Sequence, residues 1–261
     1  MKILTTDNLK ESIVDRLVKT NISNKVLLIS RSITEEEAYY KNAIIKRCKE
    51  FDIAYMEKDF NSYTNKVEIV DFINAYDDND GFIIFLPFGN FNGLDYLKEE
   101  IHLRDLDGFT YMSQGKASNG DYKHLPATPK AVVKFLESHT EITGKNIVIA
   151  NRSNLIGIPL ANYLSKNHAT VTVINSKTKN SEDIIKNSDI FISAIGKANF
   201  YDKAYFRDGQ LLIDVGTSEV NGKIVGDIDF NTLDDLDIEI VTNKKGIGAI
   251  TTLALLEGLL D

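Results

Sequence analysis

A single cysteine, Cys48, stands in 261 residues, so the chain cannot form an internal disulfide. A reducing cytoplasm is the default expectation for such a composition. No run of about 18 apolar residues occurs, which excludes a membrane-spanning helix. The opening MKILTTDNLKESIVDRL is polar and amphipathic and lacks a secretory apolar core. Positive charge is in deficit: 30 Lys and Arg face 38 Asp and Glu, leaving a net charge of -8. That balance argues against a protein held to nucleic acid by phosphate contacts. The four histidines, His102, His124, His139 and His168, show no metal-ligand spacing, and no thiolate cluster exists, so no metal is expected. What remains is ordinary for a soluble globular protein, with 43% hydrophobic and 26% charged residues. The length suffices for one large or two modest domains.

The most informative stretch runs from Gly144 to Thr178, GKNIVIANRSNLIGIPLANYLSKNHATVTVINSKT. NIVIA is a short apolar run suited to a buried parallel strand. NRSNLIGIP follows at once, then LANYLSK with helical apolar spacing, then the β-branched ATVTVIN. This pattern is a βαβ unit with a nucleotide-type loop at its first turn. A helix beginning there offers unpaired N–H groups and the positive end of its dipole to a pyrophosphate. The loop is not a GxGxxG fingerprint, since Asn151 stands at the first glycine position and Gly157 is its only glycine. Asn tolerates the left-handed conformation better than most residues, so the turn stays feasible. An ordinary strand-to-helix turn is the competing reading.

Elsewhere strands and helices alternate. Helices are predicted over Asp7–Thr20, from Thr34 to Glu50 with a Thr34/Glu37 capping box, and over Lys66–Ala75. Strands are predicted at Lys25–Ser30, Ile53–Met56 and Gly81–Pro87. Asp105–Gly120 reads as less regular. A helix then opens near Pro129, with Thr128 as N-cap and Pro129 at the first helical position. Further strands are predicted within Ser188–Gly196, Gln210–Gly216 and Ile238–Thr242. The apolar AITTLALLEGLL should be a buried final helix. The expected fold is α/β in two domains: residues 1–125, an N-terminal substrate domain, and 126–248, a Rossmann-like parallel-sheet dinucleotide domain. The final helix, 249–261, packs back on the first domain, and ligands belong in the cleft between, outside the strand C-termini.

The end of the second βαβ strand bears on the cofactor. NAD-binding folds often carry an acid there for the ribose hydroxyl. This chain has Asn175, Ser176, Lys177 and Thr178, and Arg152 in the first loop. A guanidinium beside a hydroxyl suits a 2′-phosphate, which favours NADP. Solvated surface charges are the alternative for Arg152 and Lys177.

Six ordered segments carry a resemblance. LPATPKAVVKFLE matches the pattern PCTPxG, NRSNLIGIP matches GRSxIVGxP, and ATVTVINSKT matches ATVTxCHSxT. SDIFISAIGK, LLIDVGTSEVNGKIVGDIDF and GIGAITTLALLEG follow in register. The chain resembles the methylenetetrahydrofolate dehydrogenase/cyclohydrolase family along nearly its full length. The resemblance implies folate in an interdomain cleft, NADP on the second domain, and often a homodimer. It places Asn151, Arg152 and Ser153 at the pyrophosphate and 2′-phosphate, Ser176 at the 2′-phosphate, and Thr217 beside the nicotinamide. It places Asp107 on the pterin ring, where a carboxylate can accept two N–H bonds. Tyr40, Leu86 and Gly248 join Asp107 as substrate-binding residues, with Tyr40 and Asp107 as catalytic candidates. Without the resemblance, Asp107 would read as a plain Asp-Gly turn.

Two positions depart from the family. Its Tyr-x-x-x-Lys helix keeps the tyrosine as Tyr40 but places Ile44 at the lysine, and its Gln-Leu-Pro strand end places Phe85 at the glutamine. The glycine loop VTNKKGIGAIT is one residue short and lacks the family's prolines. Hydride transfer needs mainly orientation and electrostatics. Cyclohydrolysis needs a proton carrier, a role the family gives to the lysine with the glutamine tuning it. The expectation is an NADP-dependent dehydrogenase acting on a tetrahydrofolate one-carbon substrate, with cyclohydrolase activity weak or lost. A full bifunctional enzyme with Lys41 as a relocated base, a non-catalytic binding homologue, and a dehydrogenase for another pterin or small amine stay open.

Overall fold

The computed structural model describes residues 1–260. In chain order the main elements are β1 (Lys2–Leu4), α1 (Asp7–Lys19), β2 (Val26–Ser30), α2 (Glu35–Glu50), β3 (Tyr55–Asp59), α3 (Lys66–Asn74), β4 (Gly81–Ile84), α4 (Leu94–Glu100), β5 (Arg104–Asp105), α5 (Tyr111–Ser118) and α6 (Ala127–His139). The second half adds β6 (Asn146–Ala150), α7 (Gly157–Lys166), β7 (Thr170–Ile174), α8 (Ser181–Lys186), β8 (Ile190–Ser193), β9 (Leu211–Asp214), β10 (Ser218–Val220), β11 (Lys223–Val225), β12 (Glu239–Val241) and α9 (Gly248–Glu257).

Two parallel sheets result. The first has the order β3-β2-β4-β5 and the second β1-β12-β9-β8-β6-β7, while β10 and β11 form a separate antiparallel hairpin. VLLIS of β2, GFII of β4, IFIS of β8 and LLID of β9 are buried along their whole length. Parallel strands covered on both faces read as continuous apolar runs, which is why these were legible. β3 is an edge strand, half polar, and starts later than the Ile53–Met56 expectation. The Ile53 N–H is committed to Cys48 O at 2.8 Å, closing the turn after α2, so pairing with β2 begins at Tyr55 opposite Val26. The strand expected over Gly81–Pro87 ends at Ile84, and a turn follows.

The Thr34/Glu37 capping box is present in both directions, at 3.2 Å and 2.6 Å. The start of α6 differs from the Thr128/Pro129 reading. The helix opens at Ala127, because the Asp107 carboxylate accepts the Ala127 N–H at 2.8 Å and caps it from a distant segment. Pro129 then falls inside the first turn, where a missing N–H costs nothing since no intrahelical acceptor exists. The stretch read as irregular contains α5, whose N-cap Thr110 accepts the Ser113 N–H at 3.1 Å. Asp105 in turn holds the Thr110 N–H and hydroxyl, at 2.7 and 3.0 Å.

The chain crosses between halves at both ends. β1 pairs with β12 in the second sheet, Lys2 opposite Glu239, a strand the sequence reading lacked. At the other end, α9 packs on α1, α2 and α6. Its Ile250, Leu253, Leu255 and Leu256 are fully buried. Each such side chain contributes roughly 1.5–3 kcal/mol on leaving water. Glu257, also buried, receives Arg16 and Lys134, each at 2.9 Å. Among the described residues no helix is long and apolar enough to cross a membrane, and no group of three candidate metal ligands occurs.

Glu257→Ala leaves the Lys134 ammonium in a partly buried site without its carboxylate. Breaking a buried pair costs several kcal/mol, and exposure of Arg16 reduces that to about 2 kcal/mol. The thermal midpoint is expected to fall by roughly 4–8 °C in calorimetry, and an unchanged midpoint would refute the anchoring role of this pair.

Candidate active site

The second sheet gathers loops at its carboxyl edge. Register pairs Ala150 with Ile174 and with Ser193, and Ser193 with Asp214. Asn151, Arg152 and Ser153, then Ser176, then Thr217 therefore leave neighbouring strand ends on one rim. Arg152 and Ser176 each lie two residues past the paired Ala150 and Ile174, on adjacent strands that run about 4.8 Å apart. Both are exposed. The Arg152 guanidinium makes no hydrogen bond or ion pair among the described residues. Thr217 is exposed just beyond β9.

Asn151 organises the first loop with both ends of its amide. Its Oδ1 accepts the Ser153 N–H and hydroxyl at 2.8 Å each and the Gly157 N–H at 3.0 Å. Its Nδ2 donates to Ala194 O at 2.6 Å, tying this loop to the end of β8. Ser153 in turn accepts the Ile156 N–H on its hydroxyl and the Ile158 N–H on its carbonyl, both at 3.1 Å. This corrects the expectation of unpaired N–H groups at the start of α7, because the N–H groups of Ile156, Gly157 and Ile158 are satisfied within the loop. An anion there has the exposed side chains to work with more than the helix terminus. Gly157 is required by close approach: a Cβ at that position would sit 1.8 Å from Asn151 O.

The second cluster lies on the first half. Tyr40 of α2 hydrogen-bonds through its hydroxyl to Asp107, which also caps α6. Burial pushes the Asp107 carboxyl up to about 7, with the nearby Asp105 charge adding to the rise. The Ala127 N–H, the Lys130 charge and the Tyr40 hydroxyl pull it back down. The Tyr40 phenol is raised well above its usual value by burial first and then by the Asp107 charge and hydrogen bond. The pair thus presents a carboxyl that titrates near neutrality beside a phenol that stays protonated. A carboxylate offers about four lone-pair sites, so one with two donors still has acceptor capacity.

Hydrocarbon surrounds this pair where a proton carrier was absent from the sequence. Ile44 is fully buried and Phe85 nearly so, both within the core. The Phe85 ring meets Tyr40 edge-on at 6.0 Å between centroids. Leu86 follows, half-buried. Lys41 is turned to β3, where its ammonium pairs with Glu57 at 3.1 Å. Gly248 opens α9 with empty space around its Cα. The far end of α9, about 15 Å away, is the end that reaches Leu106 and Lys130. No hydrogen bond among the described residues joins Gly248 to Tyr40 or Asp107.

One charged residue near Asp107 escaped the sequence reading. Lys130, in the first turn of α6, is only 2% exposed. Its Nζ lies 3.5 Å from where a Cβ on Gly258 would be. A lysine placed on the apolar stripe of a helix, between Ala127, Ala131 and Lys134, was the available signal.

Residues 126–261 match the family model described as "Tetrahydrofolate dehydrogenase/cyclohydrolase, NAD(P)-binding domain". A bifunctional protein FolD of Clostridium perfringens (strain SM101 / Type A) is 35% identical over 246 residues, covering 91% of this chain and 88% of that one. The bifunctional protein FolD of Clostridium beijerinckii is likewise 35% identical, over 84% of this chain and 79% of its own length. Among solved structures, the FolD methylenetetrahydrofolate dehydrogenase/cyclohydrolase of Campylobacter jejuni superposes with a TM-score of 0.91 at 28% identity. It covers 100% of this chain, and this chain covers 97% of it.

The two glycines singled out above should behave oppositely. Gly157→Ala drives a methyl into Asn151 O and is expected to cost about 3 kcal/mol or more. Gly248→Ala, with nothing within 4 Å of the new Cβ, is expected to stay within about 0.5 kcal/mol of the parent. Thermal melts of the two variants check this, and equal midpoints would show the loop to be softer than its geometry implies.

Proposed function

The chain belongs to the tetrahydrofolate dehydrogenase/cyclohydrolase family, and from that premise we propose that it oxidises 5,10-methylenetetrahydrofolate to the 5,10-methenyl compound with NADP, its cyclohydrolase activity weak or lost. The observation that carries this reading is a contrast around Tyr40. Tyr40 and Asp107 are hydrogen-bonded to each other, while Ile44 and Phe85 are packed hydrocarbon.

The rim of the second sheet fits a phosphorylated dinucleotide. Gly157 lets the loop fold back tightly on Asn151, whose carbonyl lies where a Cβ would stand. The Arg152 guanidinium has no partner among the described residues, and Ser176 stands at the neighbouring strand end. No acid follows β7 to take the ribose hydroxyls, which supports NADP over NAD. Arg152 and Ser176 would hold the cofactor there, and it would supply the acceptor for the hydride of the one-carbon bridge. The chain's own task is to hold the pterin. The Asp107 carboxylate accepts its N–H donors, and Tyr40 fixes the orientation of that carboxylate and closes the pocket with Phe85. Lone pairs of the folate nitrogens support the departing hydride, so no protein base is needed for that step.

Ring opening is different. Water must add to the methenyl cation and protons must be relayed. A side chain of Ile or Phe relays none, and the loss of such a base costs ~10²–10⁴-fold in rate. Lys41, the nearest substitute along α2, is paired with Glu57 instead. One observation favours a second reading in which hydrolysis survives. Asp107, pushed up to about 7, titrates where a general base has to.

Mixing the protein with 5,10-methylenetetrahydrofolate and NADP separates the two. Accumulation of the methenyl product by absorbance is expected, and prompt conversion to the formyl compound supports the second reading. Installing both family side chains, Ile44→Lys with Phe85→Gln, is expected to raise hydrolysis of the methenyl compound by about tenfold or more. A folded double variant with no gain would argue against the pocket chemistry proposed here.

The pH dependence follows from Asp107. Its folded pKa lies above the ordinary 3.8, at about 7, so the free protein loses stability as pH rises between those values. Substrate binding needs the ionised form as acceptor. The dehydrogenase kcat/KM is therefore expected to rise with pH through about 7 and level off above it. Asp107→Asn should lower the plateau by roughly 10–100-fold and remove the inflection. A parent profile flat across neutrality would contradict the assignment.

A further inference from the structure

We propose that two buried carboxylates, Asp214 and Asp227, form a clasp that positions the dinucleotide-facing loops of the second sheet. This rests on the reading of that rim as the cofactor site. Asp214 ends β9. Its Oδ1 accepts the Gly216 N–H at 3.1 Å and the Asp227 N–H at 3.0 Å, and its Oδ2 accepts the Ile228 N–H at 3.0 Å. Asp227, on the return from the β10–β11 hairpin, works in the other direction. Its Oδ2 accepts the Ser193 hydroxyl and the Ile195 N–H, and its Oδ1 the Lys197 N–H, all at 2.7 Å. Asp214 thus governs the loop that carries Thr217, and Asp227 governs the loop that leaves β8.

The two segments interlock. A Cβ on Gly216 would fall 2.0 Å from the Asp227 carboxyl carbon, and a Cβ on Gly226 would fall 2.0 Å from Asp214 Oδ2. Each glycine makes room for the other segment's carboxylate. The clasp also reaches the first loop, since Asn151 Nδ2 bonds Ala194 O between Ser193 and Ile195. One continuous network therefore joins the loops after β6, β8 and β9.

The arrangement is costly if stability were its only purpose. Asp214, Asp227 and Ser193 are each 3% exposed or less. Burial raises the Asp214 carboxyl to about 6, and the neighbouring Asp227 charge adds to the rise against three N–H donors. Well-packed apolar groups often stabilise such a place better than buried charge. What charge supplies here is direction: each oxygen fixes where a backbone N–H points, and with it the course of the loop. Asp214 and Asp227 are positioning residues in this account, acting through the backbone.

The test uses the full-length protein and calorimetric titration with NADP, NAD and tetrahydrofolate, all well below each variant's melting midpoint. Asparagine turns one acceptor oxygen into a donor facing an N–H. Asp227→Asn and Asp214→Asn are each expected to raise the NADP Kd by about tenfold or more, with the tetrahydrofolate Kd within about twofold of the parent. Ser193→Ala removes a single donor and carries the test if the Asn variants do not fold, with an expected rise of about threefold. An NADP Kd unmoved while the midpoint falls would reduce the clasp to a structural tie and overturn the inference. Equal weakening of both ligands would also overturn it, as would an unmoved Kd in Ser193→Ala. A parent that binds neither dinucleotide defeats the cofactor reading itself and this inference with it.

Discussion

A carboxylate that caps a helix it does not belong to ties together the first half of the chain. Asp107 holds the Ala127 N–H at the start of α6 and the Tyr40 hydroxyl on α2 at once. It thereby joins the loop after β5 to two helices that frame the pocket. The N-terminal end of α6 favours negative charge, and so does Lys130 in the same turn. Burial opposes both, and the balance leaves the group near neutrality. The residue proposed to bind the pterin is for that reason also the residue that ties these elements together.

The second sheet is organised by close approach. Gly157, Gly216 and Gly226 each abut a backbone or carboxylate oxygen at a distance no side chain could share. Asn151 replaces the first glycine of the usual dinucleotide loop and spends its amide on the loop itself. Its hydrogen bonds do internally what a bound pyrophosphate does in glycine-rich loops. The exposed Arg152 and Ser176 at this rim fit the proposed cofactor, which is distinguished by an additional phosphate.

The hydrocarbon at positions 44 and 85 underlies the proposed separation of hydride transfer from hydration. Ile44 and Phe85 join the main core, where apolar side chains need neither water nor a polar partner. The edge-on contact between Phe85 and Tyr40 keeps the phenol in place. In the proposed reading these surroundings suit hydride transfer, which asks for orientation, more than hydration, which asks for a mobile proton.

Much was legible in the sequence. Fully buried parallel strands announce themselves as apolar runs, and the Thr34/Glu37 box is a local device that needs no tertiary partner. The βαβ unit around Asn151 and the lack of an acid after β7 were matters of residue type and spacing. What tertiary structure alone decided involves partners far apart in the chain. Asp107 started α6 earlier than its own prolines implied, because the cap came from 20 residues away. β1 joined a sheet whose nearest strand lies at the other end of the chain, Lys2 beside Glu239. The Asp214–Asp227 clasp carries no local signature either, since a buried charge becomes tolerable only through groups that folding brings to it.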